Sequence, residues 1–200
     1  MKRRIAAFVI VPLLFASILV VSNASAGEPV KFRFHIANAF IQTGTGLPQT
    51  GAQAQADNGD IARVFGRGSF NASTGRAGGG GSFAHTDADG NLIGFGRWTT
   101  TGVMDFEPFG CGVAGDGTEL PPNFCGGVLT LAVRLSGVNV TAGAAGLDGV
   151  LTITCLVGDS VEDIPPEAEE GITLDLPGAI NFDDLVPTDG GLTLFVARDL

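Results

Sequence analysis

The chain is poor in the residues that carry most enzymatic chemistry. Its 200 residues include no Tyr, one Trp, two His and three Cys, and charged residues make up 16% of it against a typical ~25%. Neither His has a partner at zinc-ligand spacing, and no Gly-x-Ser-x-Gly elbow presents a serine nucleophile. The glycine run at 78–81 is not followed by the Lys-Ser or Lys-Thr of a phosphate loop. We therefore predict no catalytic residue and no cofactor.

Positive charge is scarce as well. The chain has 11 Lys and Arg against 21 Asp and Glu, and its formal net charge is −10. Binding of nucleic acid needs a basic stripe that contacts phosphates, and anionic lipid surfaces attract basic segments. The acidic balance predicts neither of these partners and favours solubility or the binding of cations.

A long hydrophobic run occurs only at the N-terminus. Three cations at positions 2–4 precede an apolar run at 5–21 and a small-residue site that ends at Ala26. This order is typical of a secretory signal peptide. An uncleaved membrane anchor is the alternative, which the short run and Pro12 disfavour. We expect residues 1–26 to be a signal peptide cut near Ala26, and residues 27–200 to form one secreted domain without a membrane span.

Apolar and polar residues alternate through the rest of the chain. Leu129, Leu131, Val133 and Leu135, for example, share one face of their segment. A period of two with one apolar face is typical of antiparallel strands that bury one side. Eight strands are predicted, near 30–40, 61–70, 78–86, 91–106, 127–136, 147–158, 171–176 and 191–198. The segments 43–58 and 158–171 are predicted loops.

Glycines alternate with aromatic residues between positions 61 and 106. The turn sequence at 87–90 predicts a hairpin that sets Phe83 opposite Gly94 and Gly79 opposite Trp98. Glycine beside an aromatic residue lets a large ring lie over bare backbone and permits strong curvature. We therefore predict an all-β, single antiparallel domain of about eight strands, and favour a barrel over a sandwich.

The same glycines have a second interpretation, in which they clear a ligand cavity inside a barrel. The ligand-binding residues would then be Phe83, His85 and Trp98. His85 shares a face with Phe83 and is expected to point inward, where a lone His is more often a core residue than a catalyst. His35 alternates with apolar residues and is expected to be exposed.

The hairpin sequence also has the carboxylate spacing that opens many calcium loops. Asp87, Asp89 and Asn91 are the candidate calcium ligands. An EF-hand would need Gly at its sixth position and an acid at its twelfth, and Trp98 stands at the twelfth. Because Asp, Asn and Gly are also favoured in turns for backbone reasons, a plain turn is the competing interpretation.

The cysteines suggest one disulfide. Cys111 and Cys125 flank a loop rich in Gly and Pro, and a bridge between them suits an oxidising compartment. Cys155 lies on the apolar face of its segment and is predicted to be a buried free thiol. The sequence does not exclude the other two pairings among three cysteines.

A resemblance covers roughly residues 61–200. The pattern that carries it includes Gly68-x-Phe70, the run from Gly79 to Gly90 with His85 inside it, and Gly96-x-Trp98. The pattern continues at residues 120–123 and at residues 191–195 near the C-terminus. These motifs resemble those of an uncharacterised group of small secreted proteins. The resemblance implies a shared all-β domain and implies no activity, cofactor or catalytic residue.

Three functions are compatible with these observations. The favoured hypothesis is a non-enzymatic binding module for an unknown small molecule. The second is a cell-surface structural or adhesive protein that binds another surface protein through strand edges. The third is a barrel-type isomerase or hydrolase that uses carboxylates or His85.

Overall fold

Strands account for most of the chain. The computed structural model describes residues 31–139, 143–186 and 191–198, so the predicted signal peptide lies outside the described residues. Within these ranges lie thirteen strands, one short α-helix and one 3₁₀ turn. In chain order they are β1 Lys31–Ile36, α1 Ala39–Thr45, β2 Ala52–Gln55, β3 Ile61–Asn71, β4 Arg76–Thr86, β5 Leu92–Cys111, β6 Val113–Ala114, β7 Phe124–Asn139, β8 Gly143–Cys155, β9 Val157–Gly158, the 3₁₀ turn Val161–Asp163, β10 Gly171–Leu176, β11 Ile180–Phe182, β12 Asp184–Val186 and β13 Thr193–Ala197.

Eleven of these strands form one antiparallel sheet. Its main path runs β11-β10-β8-β7-β13-β1-β3-β2-β12, while β4 pairs with β3 and β5, and β5 pairs with β7. The remaining two strands, β6 and β9, pair with each other. The predicted all-β antiparallel class is thus confirmed. The predicted barrel of about eight strands is not confirmed, because the described chain has more strands and they form one branched sheet rather than a closed barrel.

The sheet branches because each of the long strands β3 and β7 pairs with two different strands along one edge. Along one edge, β3 pairs with β2 over 61–64 and with β1 over 66–71. Similarly, β7 pairs with β13 at Phe124 and Cys125 and with β8 from Gly127 onward. The end strands β11 and β12 are consecutive in the chain, with only Asp183 between them. Both ends of the main path therefore lie beside each other.

Each segment predicted as a strand contains one, but the predicted loop at 43–58 is wrong in part. It includes the end of α1 and all of β2. Asn38 caps α1 by accepting hydrogen bonds from the backbone of Phe40 and Ile41, and the helix ends at Gly46 with φ 73°. A helix of seven residues is too short to show a helical period. In β2 the alternating residues are Ala and Gln, which give a weak apolar signal.

The predicted hairpin register is also wrong. Phe83 lies opposite Gly96 rather than Gly94, and Trp98 lies opposite Gly81 rather than Gly79. The difference of two residues has two parts: Thr86 lies opposite Leu92, one residue beyond the predicted pairing at the turn, and the pairing shifts by one more between His85 and Thr86, where β4 and β5 form an irregular step. Such a bulge places an extra residue on one strand, and a regular alternation of side chains does not reveal it.

Large rings nevertheless lie over bare glycine backbone. A Cβ atom added to Gly66 would overlap Trp98 Cζ2, and one added to Gly68 would overlap the ring of Phe34. The rings of Trp98 and Phe34 are themselves stacked, with centroids 6.3 Å apart. These contacts lie across β3 in the core and require the two glycines.

The predicted disulfide is present. Cys111 on β5 and Cys125 on β7 face each other in the sheet register and are bonded. Cys155 is a buried free cysteine, as predicted. The bridge links the ends of the two strands that share the longest pairing in the fold.

We expect Gly66→Ala to destabilise the fold. The new methyl group would enter space that the Trp98 ring occupies, and overpacking of a core typically costs about 1–3 kcal/mol. Gly78→Ala is the matched control, because a Cβ there meets no atom within 4 Å and surface changes are usually within ~0.5 kcal/mol. Urea unfolding followed by circular dichroism measures both. Equal stability of the two variants would contradict this account of the glycines.

Candidate ligand-binding cavity

An apolar cavity lies at one end of the sheet interior. Its volume is about 390 Å³, which is within the range of small-molecule sites. Strands β3, β4, β5, β7, β8, β10 and β11 all contribute to its wall. Gly94 and Gly137 are among the wall residues, and at these positions the sheet presents backbone in place of a side chain. Gly137 also allows close approach of β5 and β7, because a Cβ atom there would overlap the Phe95 carbonyl.

Among the described residues of the cavity wall, the polar ones are His85 and Asp60, which form a pair. His85 Nε2 and Asp60 Oδ2 are 2.8 Å apart. Asp60 is only 8% exposed and stands in the turn between β2 and β3, where its carbonyl accepts a hydrogen bond from Ala56 N at 2.9 Å. The His85 ring meets Phe182 edge-on at 5.1 Å. The pair is thus fixed in place by the hairpin turn and by an aromatic contact.

The cavity opens where its wall residues are exposed. Val138 is 45% exposed and Leu147 is 38% exposed, and Ala179 in the turn before β11 is exposed as well. Leu92 and Phe95, which flank wall residues of β5, are also exposed. Val138, Leu147 and Ala179 therefore give the opening an exposed apolar border, and contiguous exposed apolar surface is a mark of binding sites.

The structure brings together two of the three predicted ligand-binding residues. Phe83 and His85 both line the cavity, but Trp98 does not. Trp98 is 2% exposed, and its indole N–H donates to the Phe65 carbonyl at 3.0 Å. Asp60 was not singled out from the sequence, because only the pairing of β3 with β4 shows that it reaches His85.

The candidate calcium residues form a hydrogen-bonded turn. Asp87 Oδ1 accepts from the backbone of Asp89 at 3.0 Å and of Asn91 at 2.7 Å, and Asp87 Oδ2 accepts from Asn91 Nδ2 at 2.9 Å. These bonds, led by that from the Asn91 side chain, lower the pKa of Asp87. Within the described ranges no cluster of three His, Cys, Asp or Glu side chains is placed to hold a metal. Calcium binding stays a prediction.

A second polar cluster lies away from the cavity. Glu170 accepts hydrogen bonds from Leu156 N and Thr193 N, each at 2.7 Å, and burial raises its pKa. Burial, with the nearby charge of Glu170, also raises the pKa of Cys155 well above its ordinary value. Because the thiolate is the reactive form of cysteine, Cys155 is a structural residue rather than a nucleophile.

The prediction that His35 is exposed is wrong, since the residue is only 7% exposed. The ring of Phe40 stacks on the imidazole at 4.3 Å, because α1 folds back over the outer face of β1. Asn38 Nδ2 donates to His35 Nδ1 at 3.0 Å, while His35 Nε2 is buried and has no partner among the described residues. Burial is the main cause that lowers the pKa of His35, and the charges of Arg33 and Arg67 lower it further.

His35 should make the fold less stable in mild acid. Its pKa is lower in the folded chain than the ordinary 6.5, so the unfolded chain takes up the proton first as the pH falls. The stability that neutral His35 contributes to the fold is therefore fully present above about pH 6.5, and it is lost as the pH falls through the lower pKa of the folded chain. His35→Phe retains a ring against Phe40 and does not titrate. In urea unfolding from pH 8 to pH 5.5, the variant should gain stability relative to the original chain; a difference that stays constant would contradict the assignment.

No described helix is long and apolar enough to cross a membrane. No family model matches the chain. Comparison with curated proteins gives no match, and comparison with solved structures gives none either. The resemblance to small secreted proteins therefore stays an expectation, and the function has to be inferred from the geometry of the cavity.

Proposed function

We propose that the protein is a non-enzymatic binding module for a small, largely apolar molecule. The observation that carries the proposal is the cavity itself, with its apolar wall and the pair of Asp60 and His85 in it. Small-molecule sites are typically apolar clefts with a few placed polar groups that orient the ligand. A cavity of about 390 Å³ that opens through exposed apolar residues has these properties.

Binding accounts for the wall better than covalent hydrolysis does. A His oriented by a carboxylate is an arrangement found in general bases, and His85 with Asp60 has that form. Hydrolysis by covalent catalysis would also need a nucleophile beside the base. The wall, as far as the chain is described, contains no Ser, Thr, Cys, Lys or Arg. The pair is therefore assigned to ligand recognition.

We also propose that the sheet wraps round the ligand in the manner of a barrel and that the protein acts outside the cytoplasm. Seven strands border the cavity, and the two end strands of the main path are adjacent in sequence, which supports the first point. The bond between Cys111 and Cys125 supports the second, because disulfides persist in oxidising compartments.

The proposal is tested with N-phenyl-1-naphthylamine, a neutral dye that fluoresces in apolar surroundings. We expect saturable binding of about one dye per chain. Ala179→Trp places a large ring at the cavity opening and should weaken dye binding by at least about ten-fold. The residue is exposed, so the fold should be retained, and the thermal unfolding midpoint checks this.

Ala72→Trp is the matched control, since Ala72 is also exposed, lies in the turn between β3 and β4, and is not part of the cavity wall. It should bind the dye as the original chain does. Absence of saturable binding, or equal binding by the two folded variants, would show that the cavity is not the site.

A further inference from the structure

We propose that α1 is an acid-sensitive lid, which lies on the outer face of β1 while His35 is neutral and is released when the imidazole takes up a proton. This device goes beyond ligand binding, because α1 contributes no residue to the cavity wall. It follows from the hydrogen bonds of Asn38, which fix the nitrogen of His35 that carries the proton in the closed state.

Asn38 uses its side-chain oxygen and its side-chain nitrogen for different partners. Oδ1 accepts from Phe40 N at 3.0 Å and from Ile41 N at 3.4 Å, which caps α1. Nδ2 donates to the Gly66 carbonyl at 2.8 Å and lies 3.0 Å from His35 Nδ1. Because a backbone N–H only donates and a carbonyl only accepts, these partners exclude the flipped amide. Nδ2 is therefore the donor to His35 Nδ1.

The closed lid thus requires a neutral imidazole with its proton on Nε2. Nδ1 accepts from Asn38, and a neutral imidazole carries its one proton on the other nitrogen. A second proton would put an N–H on Nδ1, directly against the N–H of the Asn38 amide. Nε2 is buried without a partner among the described residues, so the charged ring would gain no hydrogen bond there. Protonation therefore replaces the bond between His35 and the cap of α1 with a contact between two donors.

The charged groups that act on the imidazole are cations. Arg67 lies opposite His35 in the pairing of β1 with β3, and Arg33 precedes His35 on the same face of β1. Burial first, and then the charges of these two arginines, lower the pKa of His35. The other elements packed on β1, α1 and β13, carry no titratable side chain. No carboxylate of the described chain is among the groups that shift this pKa, so a protonated His35 is more stable in water than under α1.

The element that gives way is α1 rather than β1. The helix has seven residues, and isolated helices shorter than ~12 residues are marginal in water. It is held to the sheet by the stacking of Phe40 on the imidazole at 4.3 Å, by Asn38 and by the buried side chain of Ile41. His35 itself stands in β1, which pairs with β13 on one side and with β3 on the other. Loss of the His35 contacts therefore releases α1 while the strand stays paired.

Hydrogen exchange of the full chain tests the lid. The Gln42 amide donates to the Asn38 carbonyl at 3.1 Å, so its exchange requires the first turn of α1 to open. Once the lid is open His35 has its ordinary pKa of 6.5, and opening takes up a proton below that pH. We expect the protection factor of Gln42, corrected for the intrinsic exchange rate, to fall at least about three-fold from pH 7.5 to pH 5.5. Uptake of one proton limits this fall to about ten-fold.

The amide of Ile153 in β8 reports opening of the whole sheet in the same experiment. It should stay better protected than Gln42 at every pH, because the lid opens without unfolding the chain. Equal protection of the two amides would show that α1 is released only by global unfolding. That result, or a protection factor of Gln42 that does not change with pH, would overturn the proposal.

Two substitutions identify the groups responsible. His35→Phe keeps a ring under Phe40 and does not titrate, so the protection of Gln42 should become independent of pH over this range. Asn38→Asp keeps the cap oxygen but presents a carboxylate to His35 and favours the protonated ring, so protection should rise as the pH falls. Asn71→Asp adds the same charge in the turn after β3, where Oδ1 accepts from Thr74 N at 2.8 Å, and should behave as the original chain does.

The assignment to His35 and Asn38 is overturned by either of two results. One is a pH dependence that persists in His35→Phe, and the other is a fall in Asn38→Asp as large as that in Asn71→Asp. If loss of the bond to the Gly66 carbonyl already releases α1 in Asn38→Asp at pH 7.5, His35→Phe alone decides.

Discussion

The fold depends on how closely aromatic rings approach the backbone of β3. Trp98 and Phe34 lie where Gly66 and Gly68 have no side chain, and both rings are almost completely buried. A strand that carried ordinary side chains at these two positions would hold the rings away from the sheet. Glycine thus decides how tightly the sheet can curl round its apolar interior, at the cost of a less constrained unfolded chain.

The cavity exists because aromatic rings fill only part of the space inside the sheet. At the opposite end, Gly94 and Gly137 border space that no ring of the described chain occupies. The hairpin turn between β2 and β3 then places Asp60 beside His85 at the wall of that space. A buried acid is tolerated there because the imidazole satisfies one of its oxygens.

Much of the fold could be predicted from alternation alone, whereas much of the candidate site could not. The segments of β7 and β8 show clear two-residue periods, and their strands lie where that pattern indicates. His35 also follows an alternating pattern, but the face that the pattern left to solvent is covered by Phe40. The predicted register of the β4–β5 hairpin was wrong by two residues, one at the turn, where Thr86 pairs with Leu92, and one at the irregular step between His85 and Thr86, since one bulge changes which residues lie opposite each other.

The antiparallel β class, the inward face that carries Phe83 and His85, and the cysteines available for a bridge follow from the amino-acid sequence. These properties depend on residue type and local spacing, which a chain carries before it folds. The tertiary structure decided that Trp98 fills the core instead of the cavity and that Asp60 meets His85, 25 positions away. Both outcomes depend on strand register and curvature, which arise only when distant segments pack against one another.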